Sequence, residues 1–234
     1  MLTKLSRETL AEQAARNLLA FIEAHDLRPG GFLPPETQLA ADLGVSRPII
    51  REALKSLEGR GIIEVRSGKG AVIKPLDPEP LQMFFHRAIQ LEHESIIDLI
   101  ELRRTIEVQS ATLAAGRRTD EELAALAATV AEMRAQMQEP SRYVELDIAF
   151  HQQIATMSHN SMIAYVVGSI RAALTEMLQE ATLRPSGAEQ LEQVQLGHEA
   201  IYKSIEQGDP VTAERAMIAH FDDAAISLFF STVR

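Results

Sequence analysis

Three prolines fall within seven residues at "KPLDPEP" (74–80). No regular helix runs through such a segment, because each proline lacks a backbone N–H and pushes the residue before it out of the helical region. The 234-residue chain is therefore cut into a head, residues 1–76, and a body, residues 77–234. Charge follows the same cut. The head holds 11 Lys and Arg against 9 Asp and Glu, and the body 12 against 24, so an acidic body carries a slightly basic head.

Three helices and a hairpin are expected in the head. Apolar residues recur at helical spacing in "LAEQAARNLLAFIEAH" (10–25), "DLRPGG" makes a turn, and "PPETQLAADLG" predicts a short helix stopped by Gly44. Ser46 suits the N-cap of a third helix and Pro48 its first turn. Along that helix Ile50, Ala53, Leu54 and Leu57 form an apolar stripe, and Arg47, Arg51 and Lys55, four apart, form a neighbouring cationic one. "IIEV" and "AVI" predict two strands joined by the basic loop "RSGKG" (66–70). This is the pattern of a winged helix-turn-helix, whose third helix enters the major groove with arginines nearest the base edges. Lys55, Arg66 and Lys69 suit phosphates. A cationic stripe alone is commonly a solvated helix face; the Gly44 turn, the Ser46 cap and the Gly-Lys-Gly wing beside it favour DNA.

Helical patterns follow one another through the body with no β-alternation, near 80–90, 95–115, 120–138, 142–158, 161–182, 191–207 and 210–230. Short connections make antiparallel neighbours. The fold expected is mostly α: an N-terminal winged helix-turn-helix and a C-terminal antiparallel all-α bundle. Asp147 and His151 are four apart and share a helix face. His198 lies ten residues before Gly208 and His220 ten after Pro210, so two helices folded back about that turn carry both imidazoles ~15 Å from it, at one height. One carboxylate and three imidazoles on three helices suit a borderline divalent ion, Zn²⁺ first, or Ni²⁺ or Mn²⁺, with positions left for a ligand. A single histidine is usually an ordinary interior or surface residue; the matched offsets set these apart from His25, His86, His93 and His159.

Cysteine is absent, which excludes disulfides, thiolate metal sites and cysteine nucleophiles and fits a reducing compartment. No stretch approaches the ~20 apolar residues of a membrane span, and no signal peptide is apparent. A soluble cytoplasmic protein without membrane contact is expected.

The stretch "LRPGGFLPPETQLAADLGVSRPIIREALKSLEGRGIIEVRSGKGAVI" closely resembles the DNA-binding domain of the GntR family, with its "LP-x-E-x-x-LA", "VSR-x-x-x-REAL-x-x-L" and "G-x-G" signatures. The resemblance implies that Arg47, Arg51 and Gly70 contact DNA. Thr37 stands where the family often has a DNA-contacting arginine, which implies an operator unlike the commonest family pattern. "LIELRRTIEVQSATLAA", "DIAFHQQIATMSHN" and "GHEAIYKSIEQGDPVTAERAMIAH" resemble the FCD effector domain of the FadR-like branch. That resemblance maps the metal ligands of metal-containing members onto Asp147, His151, His198 and His220. It also implies that Arg103 grips a ligand carboxylate; the competing role is an i,i+4 ion pair with Glu107. Asn160, matching "S-x-N", is either a pocket residue or a helix-junction cap.

Together these readings predict a ligand-responsive DNA-binding regulator, a repressor, acting as a homodimer on a palindromic operator. Its body binds a divalent metal and a small carboxylate metabolite. The alternative is a metal-dependent, hydrolase-like enzyme fused to a DNA-binding module, although no general acid or base stands out beside the metal set.

Overall fold

The computed structural model describes residues 8–66, 70–91, 95–182 and 187–229. Two compact units are formed, residues 1–77 and 78–234. In the first, helices α1 (Leu10–Ala24), α2 (Glu36–Leu43) and α3 (Arg47–Gly59) precede strands β1 (Ile63–Arg66) and β2 (Gly70–Ile73). A capping box closes the start of α1: Thr9 accepts from the Glu12 N–H while the Glu12 carboxylate accepts from the Thr9 N–H. Gly44 ends α2 at φ 64°, a left-handed turn that glycine adopts without a Cβ clash. Ser46 occupies the N-cap of α3 with extended backbone, but its hydroxyl makes no capping hydrogen bond; Pro48 sits in the first turn, as expected.

Ile50, Ala53, Leu54 and Leu57 are buried together with Leu18 of α1 and Leu39 of α2. β1 and β2 pair antiparallel, Ile63 opposite Ile73 and Arg66 opposite Gly70. The segment before α2, read from sequence only as a turn, adds to the sheet. Leu33 N–H donates to Ala71 O, Gly30 N–H to Ile73 O and Ile73 N–H to Gly31 O, so the wing is tied to the helices through β2.

Among the described residues the second unit is helical throughout: α4 (Glu79–Leu91), α5 (Ser95–Arg117), α6 (Asp120–Ala135), α7 (Pro140–Met157), α8 (Ser161–Thr182), α9 (Gly187–Glu206) and α10 (Pro210–Phe229). Pro80 falls in the first turn of α4, where its missing N–H costs nothing. Thr119 and Glu122 form the capping box of α6. Gly208, φ 67°, and Asp209, whose carboxylate accepts from the Val211 and Thr212 N–H groups, make the sharp turn into α10. α10 packs along α5 and α9, and α7 along α5, α6 and α8. The core between them includes Leu126, Met133, Phe150, Ile154, Ile201, Ile205 and Met217. None of the described helices is long and apolar enough to cross a membrane.

Two arginines at the end of α5 pin its neighbours. Arg117 donates to Ser158 O beyond α7. Arg118 donates to Ile205 O at 2.7 Å and Glu206 O at 2.6 Å, carbonyls of the last turn of α9 that have no partner within the helix. Arg118→Ala is expected to destabilise the full chain by about 1–3 kcal/mol, read as a lower thermal unfolding midpoint. An unchanged midpoint would show that these contacts add nothing net.

Candidate metal and ligand centre

His151 on α7, His198 on α9 and His220 on α10 are buried and face one another. Their ring centroids are 5.4 Å (His151–His198), 5.2 Å (His151–His220) and 4.4 Å (His198–His220) apart, and one nitrogen from each lies within 4.8 Å of the others. The turn at Gly208 brings His198 and His220 closest. Gly197 makes room: a Cβ there would stand 2.9 Å from His220 Nδ1.

Asp147, one turn before His151, joins the group. Its Oδ1 lies 3.1 Å from His198 Nε2 and 3.8 Å from His151 Nε2, while its Oδ2 accepts from Arg171 Nη1 at 2.5 Å. A second carboxylate, Glu107 of α5, has Oε2 against His151 Nδ1 and Oε1 accepting from Arg103 Nε at 2.8 Å. The Arg103 guanidinium also lies 5.3 Å over the Phe221 ring. Burial would raise both acids, but it is overcome: Arg171 and then His198 hold Asp147 well below the usual carboxylate range, and Arg103, His151 and Arg171 do the same for Glu107. Burial, helped by Arg171, pushes His151 down to about 4, and burial with the neighbouring imidazoles pushes His220 well below its ordinary value.

These groups fit a metal ion for a reason that the protein atoms alone do not resolve. Among the described residues, His151 Nε2 and His220 Nδ1 are buried without a hydrogen-bond partner, a costly arrangement in an apolar core. His198 Nε2 lies 3.1 Å from the Asp147 carboxylate oxygen, a contact that either a proton on Nε2 or a metal ion between the two satisfies. Three imidazoles and one carboxylate are the donors that borderline divalent ions take.

Sequence reasoning missed Arg171 and left Glu107 as an alternative partner only. Arg171 is 1% exposed, and the signal was legible: it is the lone charge in "MIAYVVGSIRAAL" (162–174), an otherwise apolar run. Arg103 makes the ion pair with Glu107 that stood as its competing role, yet it does so inside the cluster. Asn160 is exposed and caps α8, its carbonyl oxygen accepting from Met162 and Ile163 N–H. It also lines an open cleft of about 690 Å³ between α4, α7 and α8, whose walls include Gln152, Thr156 and Tyr165 and none of the three histidines.

On the first unit, Arg47, Arg51 and Lys55 lie along the exposed face of α3. Glu36 of α2 accepts from Arg51 Nε at 2.8 Å and lies 3.6 Å from Arg47, so the two arginines are held side by side. Thr37 is exposed next to Glu36. Arg66 pairs with Glu64 on its own strand at 2.9 Å, and Gly70 opens β2 at φ 89°. Lys69 lies outside the described residues.

Residues 98–223 match the FCD domain, and residues 10–73 match the family described as bacterial regulatory proteins, gntR family. The chain is 30% identical over 223 residues to the putative L-lactate dehydrogenase operon regulatory protein of Escherichia coli (strain K12), covering 90% of this chain and 83% of that one. It is 28% identical over 201 residues to the HTH-type transcriptional regulator LutR of Bacillus subtilis (strain 168), covering 85% and 92%. Among solved structures it resembles Streptococcus agalactiae GntR with a TM-score of 0.68 at 28% identity, over 93% of this chain and 99% of that chain.

The lowered imidazoles set a sign for pH dependence. Above the ordinary histidine value both folded and unfolded chains carry neutral His151 and His220, and neither residue alters stability. As the pH falls below about 6.5 the unfolded chain takes up protons that the folded one refuses, so stability is lost toward about pH 4. The thermal midpoint of chelator-treated protein should fall steadily from about pH 7 to about pH 5; a flat profile contradicts the buried neutral assignment.

Proposed function

From the premise that the chain belongs to the GntR family of bacterial regulatory proteins, with an FCD domain as its body, we propose that it is a cytoplasmic, metal-containing repressor released from its operator by a small carboxylate metabolite. It is a ligand-responsive transcriptional regulator and not an enzyme. In this reading residues 1–76 are the DNA-binding domain, and residues 77–234 bind metal and effector and make the homodimer. One recognition helix buries too little surface for operator affinity, whereas two related by a two-fold axis read a palindrome.

The observation that carries the reading is the convergence of three buried imidazoles, one nitrogen of each within 4.8 Å of the others, beside the Asp147 carboxylate. His151, His198, His220 and Asp147 hold the ion, Zn²⁺ before Ni²⁺ or Mn²⁺. When bound, it supplies open coordination positions for carboxylate or hydroxyl oxygens. Arg103 gives its Nε to Glu107, which leaves the terminal nitrogens of the guanidinium to take an acidic group of the effector. Asn160, which lines the open cleft between α4, α7 and α8, is the second proposed effector contact. Binding changes operator affinity only so far as the effector prefers one arrangement of the two heads over the other.

On DNA, Arg47 and Arg51 read base edges while Lys55, Arg66, Lys69 and the backbone at Gly70 hold phosphates. Arg51→Ala should weaken specific operator binding by about 1–3 kcal/mol and change random-sequence binding little. Equal losses on both sequences would remove Arg51 from base reading. For the effector, operator release is measured against a panel of small hydroxy acids, sugar acids and dicarboxylates. Wild type is expected to release DNA with one class of acid, and Arg103→Ala to fold and bind operator without responding. Wild-type sensitivity in that variant would make Arg103 purely a structural partner of Glu107.

A further inference from the structure

A chain of hydrogen bonds runs from the rim of the bundle to His198. Arg134 of α6 lies 2.8 Å from Glu199 Oε1, and the Gln195 amide nitrogen donates to that same oxygen at 3.2 Å and to Val130 O at 3.4 Å. Both amide hydrogens are thereby spoken for, and turning the amide over would set its oxygen against a carboxylate and a carbonyl. Gln195 Oε1 therefore faces Tyr143, whose hydroxyl donates to it at 3.0 Å. Tyr143 is buried, and a phenol holds its proton at neutral pH. A phenol has one proton. Having given it to Gln195, the Tyr143 oxygen can only accept from its other neighbour, His198 Nδ1, 3.3 Å away.

We propose that Tyr143 and Gln195 are positioning residues that keep the proton of His198 on Nδ1 and so present its Nε2, the nitrogen beside Asp147, as the ligating atom. This role rests on the metal reading above for its purpose, but the placement of the proton follows from the hydrogen-bond chain alone. Two acceptors compete for His198: the Asp147 carboxylate on the Nε2 side and the Tyr143 oxygen on the Nδ1 side. Without Tyr143 the carboxylate wins, the proton moves to Nε2, and the nitrogen that the ion needs is blocked. Partners of this kind on the far side of a ligating imidazole fix ring orientation and tautomer, and their loss typically lowers metal affinity ten- to hundredfold.

The test uses the full chain carrying Tyr143→Phe, which keeps the ring in the core, and separately Gln195→Leu, which frees the Tyr143 proton to point at Nδ1. In chelator-treated protein with ¹⁵N-labelled histidine, long-range proton–nitrogen spectra are expected to show Nδ1 of His198 protonated in wild type and bare in both variants. Zinc affinity, read by competition with a chromophoric chelator, should fall by about ten- to hundredfold in both. A bare Nδ1 in wild type overturns the proposal, as does a folded variant with an unchanged Nδ1 proton and zinc affinity within about twofold of wild type. Should Tyr143→Phe not fold, Gln195→Leu decides alone. A wild-type protein that takes up no zinc refutes the metal reading instead, and the proton on Nδ1 still decides this one.

Discussion

The body is organised around like groups forced together. Asp147 and three buried imidazoles meet inside the bundle, with His198 Nε2 3.1 Å from a carboxylate oxygen and His151 Nε2 and His220 Nδ1 without a hydrogen-bond partner among the described residues. Bundles do not gather such groups for stability, because apolar side chains of the same size fill the space at lower cost. Much of the surrounding structure serves to hold them in place. Arg117 and Arg118 fasten the ends of α7 and α9 to α5; Gly197 lets the His220 ring approach α9; Arg171 and Arg103 neutralise the two buried acids.

Charge reconciles an acidic body with the anionic effector proposed for it. The net charge is −10, but that belongs mainly to the surface and is screened there over about 8 Å at physiological salt. Inside, each carboxylate is matched by an arginine: Asp147 by Arg171 at 2.5 Å, Glu107 by Arg103 at 2.8 Å. The two arginines balance the two carboxylates, so the proposed divalent ion would make the cluster locally positive. Glu107 touches both His151 and Arg103, so the proposed metal and effector contacts share one carboxylate, a short physical route for coupling them.

Much of this was legible in the sequence because it depends on local rules. The 3.6-residue period and the Gly208–Pro210 turn locate the helices to within a few residues, and an antiparallel turn fixes that His198 and His220 stand at equal height. Long-range pairing was not legible. Nothing in "LRPGGF" announces that residues 30–33 join β2, because that depends on backbone groups some forty residues away finding a shared edge. Nor does spacing reveal that Tyr143 and Gln195 stand behind His198, since the two lie on separate helices. Ser46 shows the opposite limit: the cap position is right, but its side chain does not make the expected bond.

Native mass spectrometry of the intact protein, purified without chelator, tests the central claim most directly. A dimer carrying one divalent transition-metal ion per chain is predicted for wild type, with the ion gone from a folded His198→Ala/His220→Ala variant. A wild-type spectrum free of metal, or a double variant that keeps its full complement, would contradict the account.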